Sequence, residues 1–165
     1  MSVDFSAESE DFCRRVIELL SRRRETLAVA ESCTGGMISA ALTHIPGSSA
    51  VLWGGVVSYS NEAKSAYLDV DPALILREGA VSGAVAKAMA WGMRVHSGAD
   101  RTLAVTGIAG PGGGTPEKPV GTVWIGETTP DGRVEACLHQ FEGDRASVRN
   151  QTLRAALGRL LKNEL

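Results

Sequence analysis

Apolar and polar positions alternate in blocks that predict a succession of helices and strands. Phe12, Val16, Leu19 and Leu20 recur at helical spacing, with Arg14, Arg15, Glu18 and Arg22 between them. This predicts an opening helix from about Ser6 or Ala7, ended by the charged run Ser21 to Glu25. Thr26-Leu27-Ala28-Val29-Ala30 is then continuously apolar, the mark of a strand buried on both faces. Glu31 to Gly36 predict a tight turn into a helix over Met37 to Thr43, closed by Pro46-Gly47. Val51 to Tyr59 reads as the next strand, giving a strand–helix–strand unit with a right-handed crossover.

Asn61 is a cap for a short helix bearing Ala63, Lys64 and Tyr67, and Asp71-Pro72 opens another. Ser82 predicts the start of a longer helix with Val85, Met89 and Met93 inward. Arg101 to Thr106 is again a compact apolar strand, followed by the glycine-rich stretch Gly107 to Pro119. Val120 to Thr128 and Arg133 to Phe141 form two strands joined at Pro130-Asp131-Gly132, a hairpin signal. Asp144 caps a closing helix with Leu153, Leu157, Leu160 and Leu161 inward and Arg149, Arg154 and Arg159 outward. The order predicts a single α/β domain over residues 1–165. Its architecture is a three-layer α/β/α sandwich with a mixed, mainly parallel sheet and a C-terminal hairpin.

Composition narrows the function classes. The formal net charge of -2 supplies no field for nucleic acid or an anionic membrane. No apolar run approaches the roughly 20 residues of a membrane span, and Met1 to Glu10 is polar and acidic, unlike a signal peptide. A cytoplasmic location is the expectation. Cys13, Cys33 and Cys137 are scattered, as are His44, His96 and His139, so no metal-ligand spacing or disulfide framework is evident. No metal or cofactor is implied.

Three segments stand where strands give way to loops, the place where ligand crevices form in open α/β sheets. They are Glu31-Ser-Cys-Thr-Gly-Gly36, Tyr59-Ser-Asn-Glu-Ala-Lys64 and Gly107-Ile-Ala-Gly-Pro-Gly-Gly-Gly114. The first sets Ser32, Cys33 and Thr34 at a helix start, where free N–H groups can hold an anion. Ser32 or Thr34 could equally be a helix cap. The pair Gly35-Gly36 suits close backbone or ligand approach.

A nucleophilic serine needs a base, and no histidine lies in these segments. Of the four lysines, Lys162 is terminal, Lys87 sits in a helix, and Lys118 lies in the glycine/proline loop where it could meet an anion. Lys64 is left as the candidate, acting as a base only where its proton affinity is lowered. A plain surface lysine is the alternative. Tyr59 fits the core as well as a site. Gly107 to Gly114 fits a backbone cradle, or a flexible loop. Arg145, in the first turn of the last helix, is either a phosphate partner or a surface arginine. Cys33, though the better nucleophile by type, is expected to be a buried small residue.

The same segments resemble the CinA C-terminal-domain family of nicotinamide-nucleotide amidohydrolases. The matching strings are A-E-S-C-T-G-G from Ala30, P-G-S-S-A from Pro46, Y-S-N-E-A-K from Tyr59, G-A-V-S from Gly79, T-G-I-A-G-P from Thr106, E-K-P-V-G-T-V from Glu117 and G-D-R from Gly143. They run in order across nearly the whole chain. The resemblance implies deamidation of nicotinamide mononucleotide to nicotinate mononucleotide and ammonia, a pyridine-nucleotide salvage reaction, by a stand-alone form of the domain. It also implies a catalytic set of Ser32, Tyr59 and Lys64. Substrate contacts are then expected from Cys33, Thr34, Gly35, Gly36, Thr106, Gly107, Gly110, Gly112, Lys118 and Arg145. The alternative is a nucleotide-binding regulatory module that kept the pocket without turnover. Trp53 and Trp91, together with the resemblance, leave a homodimer open.

Overall fold

A computed structural model describes residues 5–162. Helix α1 (Ala7–Arg23) leads into β1 (Leu27–Glu31), α2 (Met37–Thr43), a 3-10 turn (Ser48–Ala50) and β2 (Leu52–Val57). Then follow α3 (Asn61–Leu68), α4 (Pro72–Glu78), α5 (Gly83–Ser97), β3 (Arg101–Gly107), β4 (Thr122–Thr128), β5 (Val134–Gln140) and α6 (Arg145–Leu161). The sheet order is β2-β1-β3-β4-β5. β1 pairs in parallel with β2 and β3, while β4 is antiparallel to both β3 and β5. Thus only β4 runs against the others, and the sheet is mainly parallel in direction although its ladders divide evenly. The expected hairpin closes at Gly132, whose N–H donates to the Thr129 carbonyl at 2.9 Å.

Residue size along the central strands builds the two helical layers. Leu27, Val29, Leu103 and Val105 point to the core shared with α1, α2 and α6, where Leu20, Leu42 and Leu157 are buried. The alternating Ala28, Ala30 and Ala104 point the other way, toward Leu68, Val85, Met89 and Met93 of α3 and α5. Small residues there let α5 lie close on the sheet. Gly126 of β4 shows how close: a Cβ at that position would stand 2.3 Å from the Ala86 carbonyl oxygen. Burying each leucine of the larger core contributes about 1.5–3 kcal/mol.

Two details of the expected pattern change. Ser60 rather than Asn61 caps α3, its hydroxyl accepting from the Ala63 N–H at 3.0 Å. Arg149 and Arg159 turn inward from α6: Arg149 donates to the Thr34 carbonyl at 2.8 Å, and Arg159 is buried against Glu127 at 2.6 Å. Helical periodicity put them on the polar face, but their long stems reach carbonyl and carboxylate acceptors beneath the helix. No helix among the described residues is long and apolar enough to cross a membrane.

Candidate active site

From β1 the chain passes to β2 on one side and later to β3 on the other, so the sheet's switch point lies at the carboxyl end of β1. Glu31, the last residue of that strand, organises the turn beyond it. Its fully buried carboxylate accepts from the Thr34 hydroxyl (2.6 Å), the Gly36 and Ile38 N–H groups (3.0 and 3.1 Å), and the Ser39 N–H and hydroxyl (2.8 and 2.7 Å). A carboxylate therefore caps α2, where its charge also complements the positive end of the helix. Neither Ser32 nor Thr34 caps it, and Ser32 is left free for another role. Gly36, at φ +95°, adopts a left-handed conformation that a side chain would strain.

Ser32 is held by its own N–H, which donates to the Val105 carbonyl of β3 at 3.0 Å. Its hydroxyl meets Lys64 from the first turn of α3, with Nζ 3.0 Å from Oγ. Lys64 is only 1% exposed. Nζ also donates to the carbonyls of Ser58, at 2.9 Å, and Tyr59, at 3.4 Å. Burial disfavours the ammonium and lowers the lysine's proton affinity below its usual value, opposed in part by the neighbouring Cys33. No carboxylate forms an ion pair with Lys64 among the described residues. A neutral amine has two N–H donors and one lone pair. With its two N–H groups on the two carbonyls, the neutral amine would turn that lone pair to the Ser32 hydroxyl.

These groups line a pocket of about 180 Å³ together with Cys33, Tyr59, Asn61, Ala80, Val81, Thr106, Gly107, Ala109 and Arg145. Thr106 donates to the Ala80 carbonyl at 2.8 Å and so fixes one wall. Cys33 is buried and its thiol is pushed up to about 11, chiefly by desolvation, which leaves it protonated near neutral pH. Its N–H makes no hydrogen bond to another described residue and stands beside Ser32. Tyr59 is 60% exposed. Its phenol accepts from Arg145 Nη2 at 3.2 Å, while Nη1 of the same arginine donates to the Gly110 carbonyl at 3.0 Å. Arg145 thus ties the loop after β2 to the loop after β3 at the pocket mouth.

The structure does not bring every expected contact to the pocket wall. Thr34 spends its hydroxyl on Glu31, Gly36 spends its N–H there too, and the Gly35 N–H donates to the Ser32 carbonyl at 3.0 Å. All three shape the turn and lie outside the lining. Gly110 reaches the site only through its carbonyl to Arg145. Gly112 is exposed, and Lys118, whose Nζ donates to the Glu78 carbonyl at 2.9 Å, lies outside the lining. Asn61, Ala80, Val81 and Ala109 line the pocket without having been singled out from the sequence. Asn61 and Ala109 lay inside strand-end segments already marked, and no residue-type signal pointed to Ala80, Val81 or Ala109. Among the described residues, no group of three His, Cys, Asp or Glu side chains is arranged to hold a metal ion.

The model of the CinA C-terminal domain matches residues 9–164. The chain belongs to that family. A CinA-like protein of Desulfotalea psychrophila is 56% identical over 140 residues, covering 85% of this chain and 34% of its own length. One from Chlorobaculum tepidum is 54% identical over 150 residues, covering 88% and 36%. The chain therefore spans about a third of the length of these curated relatives. Among solved structures, the competence/damage inducible protein CihA from Agrobacterium tumefaciens superposes with a TM-score of 0.94 at 41% identity, covering all of both chains. The competence damage-inducible protein A from Klebsiella pneumoniae gives 0.91 at 36% identity, covering 94% and 96%. The five-stranded CinA fold is thus common to this chain and those structures.

Proposed function

We propose that this CinA domain is a serine amidohydrolase that converts nicotinamide mononucleotide to nicotinate mononucleotide and ammonia. The observation that carries the reading is the buried Lys64 amine in hydrogen-bond reach of the Ser32 hydroxyl. The substrate comes from the family resemblance of the sequence strings. In the proposed reaction Ser32 Oγ attacks the carboxamide carbon as Lys64 Nζ takes its proton. The two carbonyls on Nζ direct its remaining lone pair at the hydroxyl. The Cys33 N–H, next to Ser32 in the chain, is the proposed donor to the developing oxyanion. Collapse of the tetrahedral intermediate breaks the C–N bond, and Lys64 returns the proton to the departing ammonia. Water, deprotonated by Lys64, then hydrolyses the acyl-enzyme and frees Ser32.

Arg145 supports an anionic substrate, because its guanidinium sits at the mouth and can meet a phosphate. Tyr59 enters as the group that holds Arg145, its phenol bonded to that arginine. A panel assay tests the reading: ammonia release from nicotinamide mononucleotide, nicotinamide riboside, nicotinamide and unrelated carboxamides. The mononucleotide is expected to turn over fastest. Equal turnover of the riboside would remove the phosphate contact, and turnover of only an unrelated amide would overturn the substrate assignment. Nucleotide binding with no ammonia released would favour a regulatory module.

A further inference from the structure

The three cysteines occupy very different surroundings. Cys13 and Cys33 are 0% and 6% exposed, and burial pushes their thiols up to about 12 and about 11. Cys137 is half-buried on the edge strand β5, away from the pocket that holds Ser32. His139 follows two residues later on the same strand face, with Nε2 3.1 Å from the Cys137 sulfur. Its ring stacks on Phe141 at a centroid distance of 5.2 Å, which fixes its plane. From α6, Arg159 Nη1 donates to the same sulfur at 2.7 Å.

This arginine is not a solvated neighbour. Its side chain is 9% exposed, and Nη2 is paired with Glu127 at 2.6 Å and with Glu135 at 3.7 Å. Its Nε is buried without a hydrogen-bond partner. A buried guanidinium N–H aimed at sulfur stabilises negative charge that develops on that atom during a reaction. Burial and the positive charges of Arg159 and Lys162 lower the proton affinity of His139 below its usual value, which favours the neutral imidazole. A neutral imidazole in contact with a thiol can take its proton. His139 from β5 and Arg159 from α6 therefore both contact the same sulfur.

We propose that Cys137 is a peroxide-reactive thiol, with His139 as its proton acceptor and Arg159 as the group that polarises the sulfur. The sulfur attacks one oxygen of a small hydroperoxide, and its proton passes to His139. The O–O bond breaks, sulfur is oxidised by two electrons to a sulfenic acid, and the peroxide is reduced. The leaving oxygen takes the proton back from His139 and departs as water or an alcohol.

The test treats the full chain with hydrogen peroxide, traps sulfenic acid with dimedone, and locates the adduct by peptide mass mapping. One adduct is expected, on Cys137, forming at least about tenfold faster than any at Cys13 or Cys33. Cys137→Ser abolishes it. His139→Asn slows it by about tenfold or more, at a thermal midpoint close to the wild type. Arg159→Ala breaks a buried ion pair and is expected to unsettle the fold, so the two strand variants carry the test. Labelling that falls first on Cys33, or a wild-type rate in His139→Asn, would overturn the proposal.

Discussion

Lys64 Nζ stands 3.0 Å from Ser32 Oγ although 31 residues separate them, and the last turn between β2 and α3 is what brings them together. The lysine lies in the first turn of a capped helix and points back beneath the strand ends. Burial there makes the neutral amine accessible, so activity should report its titration. Ionised Lys64 cannot accept the serine proton. We therefore expect kcat/KM to rise with pH along a single acidic limb whose apparent pKa lies below the usual lysine value of about 10.4. A pH–rate profile free of such a limb would contradict the base assignment.

The same titration sets a stability trend. The folded protein holds Lys64 with lowered proton affinity, so between the folded and unfolded values the unfolded chain binds more protons. Stability therefore rises with pH across that window, and the burial penalty is fully present below the folded value. Lys64→Met removes the penalty. Relative to wild type, the variant should gain stability as pH falls through the window, which paired thermal melts at several pH values would measure.

Glu31 makes a further prediction, on the turn itself. Gln at this position keeps the shape but turns an amide N–H2 toward donors that one carboxylate oxygen now accepts. Glu31→Gln should lose about 1–3 kcal/mol of stability, read as a lowered urea midpoint with unchanged slope. Because the turn positions Ser32, turnover should fall as well. An unchanged midpoint would show that the five donors find other partners.

Tyr59 and Arg145 are expected to act as one unit. Tyr59→Phe removes a phenol that touches Arg145 and neither Ser32 nor the lysine amine, so its loss of kcat should be smaller than that of either dyad variant. In a double-mutant cycle with Arg145→Met, the two losses should be non-additive by about 0.5–3 kcal/mol. Full additivity would separate the two residues and return Tyr59 to an independent role.

Cys33 should be dispensable as a nucleophile. Its thiol is buried and pushed up to about 11, which leaves it protonated near neutral pH. Cys33→Ala is expected to keep turnover within about tenfold of wild type. A loss as deep as that of Ser32→Ala would move the nucleophile to sulfur.

Much of the fold was legible because its elements obey simple periodicities. The continuous apolar run to Ala30 marked a strand buried on both faces, and Asp71, Ser82 and Asp144 marked helix starts that the structure keeps. The three strand-end segments likewise marked where the pocket forms. What could not be read was the long-range use of polar atoms. Glu31 looked like one more turn residue, yet it takes five hydrogen bonds and frees Ser32 from capping. Thr34, Gly35 and Gly36 looked like ligand contacts because glycine and hydroxyl groups serve turns and ligands alike. Lys118 looked like a loop cation, and only the structure shows that its amine donates to the distant Glu78 carbonyl. Arg149 and Arg159 lay on the expected polar face, and helical spacing says nothing of acceptors beneath a long stem.

The central claim is that Ser32 and Lys64 together cleave an amide bond. It is tested most directly by ammonia release from nicotinamide mononucleotide by wild type, Ser32→Ala and Lys64→Met, each confirmed folded by circular dichroism. Wild type should release one ammonia per nicotinate mononucleotide formed. Both variants should fall by at least about 10²-fold. Wild-type turnover in both folded variants would contradict the dyad.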